Sequence, residues 1–129
     1  MNRQKYFLPV IFLILITLFA CSETQEKEEF NLTAEELNTA IQSGSDLIIL
    51  DVRTPPELVG QHGQIKGVIN IPVQVLETRI NELDEYKNEN IAVICRSGNR
   101  SVHATKLLLQ NGFKAKNVLG GMKAYNKLK

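Results

Sequence analysis

Cysteine, histidine and any surplus of charge are all scarce in this sequence. Two cysteines among 129 residues leave no basis for a multi-bridge disulfide framework. The two histidines, His62 and His103, stand apart without clustered ligands, which argues against a metal site. Fifteen Lys and Arg face 14 Asp and Glu, so there is no basic excess to recruit nucleic acid. Internal repeats are absent. So are long apolar runs, apart from Phe7 to Ala20, which Pro9 and Thr17 interrupt. That run is shorter than the ~20 residues a spanning helix needs. What remains is enough chain for one domain of about 100 residues with a small core.

The apolar run has the form of a secretory signal. Arg3 and Lys5 give it a basic start, and it closes on Leu18-Phe19-Ala20-Cys21. This ending resembles the lipobox of bacterial lipoproteins. The resemblance implies that residues 1–20 are a signal peptide and that Cys21, acylated, becomes the first residue of the mature chain. An uncleaved N-terminal anchor helix is the competing reading. Residues 21–29 carry four glutamates and read as a flexible acidic tether. The expected location is the cell envelope, lipid-anchored and facing the periplasm or exterior. Ser22 stands where an aspartate commonly retains lipoproteins on the inner membrane, which favours the outer membrane where a cell has two. With Cys21 consumed by lipid, Cys95 is a lone thiol in an oxidising compartment, either buried and inert or kept for chemistry.

Residues 30–129 alternate strand and helix signals. Thr33-Ala34-Glu35-Glu36 is a capping box opening a helix to about Gln42. Leu47-Ile48-Ile49-Leu50, ending at Asp51, reads as a central parallel strand, apolar on both faces. Pro56 suits a helix start with Glu57 behind it. A short strand is expected at Val68-Ile69-Asn70, and a helix from Pro72 through Val75, Leu76, Ile80 and Leu83. Ile91-Ala92-Val93-Ile94 is a second central strand, and Ser101 to Gln110 is helical. Asn117-Val118-Leu119 is a last strand, Gly120-Gly121 a sharp turn, and Met122 to Leu128 a terminal helix. The pattern predicts an α/β sandwich with a mostly parallel central sheet flanked by helices.

Cys95 falls where a strand ends and a helix begins, at the head of Cys95-Arg96-Ser97-Gly98-Asn99-Arg100-Ser101. Backbone amides converge at such a place and the helix dipole is positive there, which favours the nucleophilic thiolate. Asp51 and Arg53 follow the other central strand at the same edge. A structural role is preferred for them, with Asp51 bonding loop amides and Arg53 pairing with Glu57. Ser101 is read as a helix cap rather than a proton shuttle, and His103 as a surface residue.

Four segments together resemble the rhodanese-like sulfurtransferase family. They are Asp51-Val52-Arg53, Gly67-Val68-Ile69-Asn70-Ile71-Pro72, the Cys95 loop, and Leu119-Gly120-Gly121-Met122-Lys123-Ala124-Tyr125. The resemblance spans Phe30 to Leu128 and implies a three-layer rhodanese-like sandwich that works without a cofactor. Cys95 would take the outer sulfur of a small donor such as thiosulfate as a persulfide, then pass it to a thiophilic acceptor. Arg96, Ser97, Gly98, Asn99, Arg100 and Ser101 would hold the substrate. Gly98 would let successive amides turn inward as an anion cradle, and Arg96 and Arg100 would draw in a dianion. The chain departs from the family pattern at Gly63-Gln64-Ile65, with His62 one place early, and at Tyr125, where tryptophan is common.

Two other functions compete with sulfur transfer. Cysteine phosphatases also set a thiolate in an amide cradle closed by arginine, but with five intervening residues; Cys95 and Arg100 have four between them. A smaller ring suits one sulfur atom better than a phosphoryl group. A non-catalytic binding module on the same fold is opposed by the intact Cys95, Gly98 and Arg100.

Overall fold

The computed structural model describes residues 29–129. The expected signal peptide, the lipid-bearing Cys21 and the tether as far as residue 28 lie outside the described residues. Strands β1 (Asn31–Leu32), β2 (Ile48–Asp51), β3 (Ile69–Asn70), β4 (Asn90–Ile94) and β5 (Lys114–Val118) form one sheet in the order β1-β5-β4-β2-β3. Every neighbouring pair is parallel. The helices are α1 (Ala34–Gln42), α2 (Pro55–Leu58), α3 (Leu76–Arg79), α4 (Asn99–Gln110) and α5 (Gly121–Asn126), with a 3-10 helix at Ile80–Tyr86 following α3. The α/β, three-layer architecture expected from the sequence is the one observed.

Alternation along the central strands creates the layers. Ile91, Val93 and Cys95 turn to one face of the sheet, where they pack with Leu76 and Leu83 and with Ala104 and Leu108 of α4. Ala92 and Ile94 turn to the other face, against Leu37 of α1 and Met122 and Tyr125 of α5. The register pairs Asp51 with Ile94, so the ends of β2 and β4 are level. Cys95 and the Asp51-Val52-Arg53 turn therefore share one edge of the sheet, and the Val52 amide donates to the Ile94 carbonyl at 2.9 Å.

Four elements differ in extent from expectation by two residues or more. The helix expected from Pro72 to Leu83 is a turn, then the single turn α3, then the 3-10 helix. Ile80, Leu83 and Tyr86 recur every third residue, the period that puts all three on one face of a 3-10 helix. Strand β5 begins three residues early because Lys114-Ala115-Lys116 alternates exposed and buried positions. Helix α4 begins at Asn99 rather than Ser101, and α5 ends at Asn126. The two-residue β1 was hidden between the tether and the capping box. That box is present as expected: the Glu36 amide donates to Thr33 Oγ1 at 3.1 Å, and the Thr33 amide to Glu36 Oε2 at 2.8 Å.

Candidate active site

Cys95 follows the last residue of β4, and its loop closes onto α4 through Gly98, whose φ of +99° is the left-handed region that glycine occupies readily. A side chain there would also meet the Gly120 amide nitrogen at 3.2 Å. On its outer side the loop is gripped by α5: the Met122 amide donates to the Cys95 carbonyl at 2.8 Å and the Lys123 amide to the Arg96 carbonyl at 3.0 Å. Gly121 permits this approach, since any Cβ at that position would overlap the Cys95 carbonyl oxygen. With these carbonyls occupied by α5, the loop amides are left to face the sulfur.

The Gly98 amide donates to Cys95 Sγ at 3.1 Å, and the Ser101 hydroxyl lies 3.4 Å from the same atom. The residue is 1% exposed. Burial alone pushes the thiol up. The Ser101 hydroxyl and the amides of Ser101, Ser97 and Gly98 outweigh it and leave the Cys95 pKa below its ordinary value. The amide cradle is thus formed by the loop together with the first turn of α4.

Beside the Cys95 loop is a cup of about 360 Å³ lined by Glu57, Arg96, Ser97, Asn99 and Arg100. Ser97, Asn99 and Arg96 are exposed, whereas Arg100 is half-buried. Arg100 Nη1 and Nη2 donate to Glu57 Oε2 and Oε1 at 2.8 and 2.7 Å. Glu57 also accepts from the Thr54 amide and hydroxyl, both at 3.0 Å. The Arg100 hydrogen bonds are the main reason that the Glu57 carboxyl is pulled down to about 2, with the Thr54 contacts adding to them.

The expected pairing of Arg53 with the Glu57 side chain is not observed. Arg53 instead pairs with Asp51, Nη2 to Oδ2 at 2.6 Å, with both residues essentially sealed from solvent. The reason is geometric. Arg53 turns inward beside the strand end, where it meets Glu57 only through its main-chain carbonyl, at 3.3 Å, and also binds the Gly63 carbonyl at 2.8 Å. Asp51 accepts from the Arg53 amide at 3.0 Å rather than from the Cys95 loop. Asn70 Nδ2 ties down the carbonyls of Asp51 and Arg53, each at 2.8 Å. This cluster braces the Arg53–Gly63 segment.

Ser101 is also placed differently from its reading as a cap. It lies within the first turn of α4, fully buried, and its hydroxyl is 2.7 Å from Asn117 Oδ1, 3.0 Å from the Gly98 carbonyl and 3.4 Å from the sulfur. One hydroxyl proton serves one of these at a time. Asn117 is a site neighbour that the sequence reading did not single out, and its Nδ2 donates to Asn31 Oδ1 at 2.9 Å. Glu57 was likewise missed as part of the cup. A signal existed for it, a carboxylate in the loop that leaves the same sheet edge as Cys95. His103 is exposed on α4. No group of three or more potential metal ligands occurs among the described residues, and no helix among them is long and apolar enough to cross a membrane.

A model of the family described as Rhodanese-like domain matches residues 33–128. The chain is 40% identical over 93 residues to the putative sulfur carrier protein YrkF of Bacillus subtilis, a match covering 71% of this chain and 48% of that protein. It therefore spans about half the length of that relative. It is 30% identical over 95 residues to a sulfurtransferase of Allochromatium vinosum, covering 73% of this chain and 85% of the other. Among solved structures, a rhodanese-related protein from Thermoplasma volcanium superposes with a TM-score of 0.67 at 34% identity, covering 76% of this chain and 91% of that one. The human single-domain sulfurtransferase TSTD1 gives a TM-score of 0.65 at 25% identity, covering 78% and 97%.

Proposed function

The chain belongs to the rhodanese-like domain family, and from that premise we propose that it is an exported sulfurtransferase working through a Cys95 persulfide. The observation that carries this reading is the thiol itself, lowered in pKa and held by the Gly98 amide and the Ser101 hydroxyl, in a loop whose outer residues line a cup with two arginines.

In the first half-reaction the Cys95 thiolate attacks the outer, sulfane sulfur of thiosulfate or a related donor. A new S–S bond forms at Cys95, the donor's S–S bond breaks, and its electron pair leaves with sulfite or the carrier thiolate. The added sulfur stands about 2.05 Å beyond Sγ, among the amides of Ser97 and Gly98 that already face the thiolate. These amides stabilise the persulfide anion as they do the thiolate. In the second half-reaction a thiophilic nucleophile attacks the outer sulfur and Cys95 departs as thiolate. Arg96 and Asn99 line the route that both partners take, and Asp51 and Arg53 hold the sheet edge without touching them. Initial rates with thiosulfate and cyanide should give the parallel double-reciprocal lines of a ping-pong reaction, whereas intersecting lines would contradict a covalent carrier.

Attachment through acylated Cys21 belongs to the same proposal and rests on the sequence of residues 1–29. Expression with labelled palmitate should label the wild-type protein and place it in the membrane fraction of the cell envelope, while Cys21→Ala stays unlabelled. An unlabelled wild-type protein would remove the lipid anchor and leave the sulfur chemistry untouched.

A further inference from the structure

Among the described residues, the charged side chains lining the cup are Arg96, Arg100 and Glu57. The charge of Arg100 is already matched by a carboxylate of the protein. Its two terminal nitrogens are both engaged by Glu57, at 2.8 and 2.7 Å, and Glu57 is fastened in turn by the amide and hydroxyl of Thr54. The backbone carrying Glu57 is itself constrained, since Pro55 and Pro56 occupy the first turn of α2 with fixed φ. An anion seeking the Arg100 guanidinium meets a charge already compensated by a carboxylate held by four hydrogen bonds. Among the described residues the cup therefore offers the charge of one cation without an ion-pair partner, Arg96, and the neighbouring Cys95 thiolate opposes that charge.

We propose that Glu57 sets the charge of the sulfur donor, tuning the cup to persulfides on carriers of little negative charge instead of donors as highly charged as thiosulfate. This rests on the sulfur-transfer reading and narrows its substrate class. The step balances without an added oxidant: the Cys95 thiolate attacks the terminal sulfur of R–S–SH, the Cys95 persulfide forms, and the S–S electron pair leaves as RS⁻. Glu57 acts through Arg100 and touches no reacting atom, so it is a positioning residue for specificity. Replacing it by Gln keeps the size, leaves one acceptor oxygen where there were two, and releases the guanidinium's charge.

A matched pair of probes isolates carrier charge from sulfur reactivity: 2-hydroxyethyl persulfide, with a neutral carrier, and 2-sulfonatoethyl persulfide, with an anionic one. The purified full chain should prefer the neutral carrier in kcat/KM by about fivefold or more. Glu57→Gln should cut that ratio about tenfold, through a lower KM for the sulfonate and for thiosulfate, with the smaller change in kcat. An unfolded fraction of the variant scales both donors equally and cancels from the ratio. If Glu57→Gln cannot be obtained folded, the wild-type ratio decides, because equal kcat/KM for the two carriers would overturn the proposal. An unchanged ratio in a folded Glu57→Gln would overturn it as well. Failure of all three donors to load Cys95 would instead remove the sulfur-transfer reading on which the proposal stands.

Discussion

Two arginine–carboxylate pairs sit at the same edge of this sheet and do different work. Asp51–Arg53 is sealed, with 0% and 1% exposure, and its remaining bonds go to main-chain groups of its own loop, the Arg53 amide and the Glu57 and Gly63 carbonyls. Glu57–Arg100 has nearly the same length, 2.7 Å against 2.6 Å, but each side chain is 30% exposed and both line the cup beside the Cys95 loop. Chemistry and distance alone do not distinguish them. Burial does: the sealed pair has no water to replace a lost partner, so it acts on the fold, while the open pair faces whatever enters the cup and acts on substrate charge.

The comparison is broken most severely by Asp51→Asn, which leaves the Arg53 charge buried without its counter-ion. Loss of one partner of a buried pair costs about 3–5 kcal/mol, and urea unfolding should show a fall of that order. A loss under about 1 kcal/mol would mean that water reaches Arg53 and that the two pairs are alike.

An intermediate effect is expected from Ser101→Ala, which removes the hydroxyl from the thiol without touching either ion pair. A hydrogen bond of about 0.5–1.5 kcal/mol corresponds to a two- to tenfold slower alkylation of Cys95 at pH 7. In the wild-type protein the alkylation midpoint should lie below the ~8.5 of an unperturbed cysteine, since the amides and hydroxyl favour thiolate over thiol. The variant's midpoint should be higher. The profile should also be a single thiol titration from pH 5 to 9, because Glu57, pulled down to about 2, stays ionised throughout. An identical midpoint in the variant would show that Ser101 serves Asn117 and Gly98 alone.

The smallest effect should come from Glu57→Gln on stability. Its pair is partly solvated, so the unfolding free energy should change by less than about 1 kcal/mol. A lowered folded-state pKa makes the carboxylate's contribution present above the unfolded value and lost as pH falls through about 2. The change should accordingly be constant between pH 6 and 8. A drop of several kcal/mol would put Glu57 in the same class as Asp51.

Most of the sheet was legible because its central strands are apolar on both faces, a pattern that parallel burial produces and little else does. The Cys95 loop was legible for a related reason: a strand signal stops, a helix signal starts, and a lone thiol stands between them. Lys114-Ala115-Lys116 hid the start of β5, since two lysines mask an alternation whose only buried member is alanine. The partners of Arg53 and Arg100 could not be read at all. Arg53 is four residues from Glu57 and Arg100 is 43 residues away, yet the distant arginine takes the carboxylate. Local spacing favours the first, and only the level ends of β2 and β4 bring the second within reach. Asn117 was missed for the same reason: its place beside Ser101 depends on how α4 lies across β5.

The most direct test of sulfur transfer is the intact mass of the reduced full chain after brief exposure to thiosulfate or to 2-hydroxyethyl persulfide, with peptide mapping of the product. Wild-type protein should gain about 32 mass units, one persulfide sulfur, on the peptide containing Cys95. The gain should be lost again on addition of cyanide, and Cys95→Ser should gain nothing. Absence of the added mass with both donors, or its equal appearance in Cys95→Ser, would contradict a Cys95 persulfide as the carrier of sulfur.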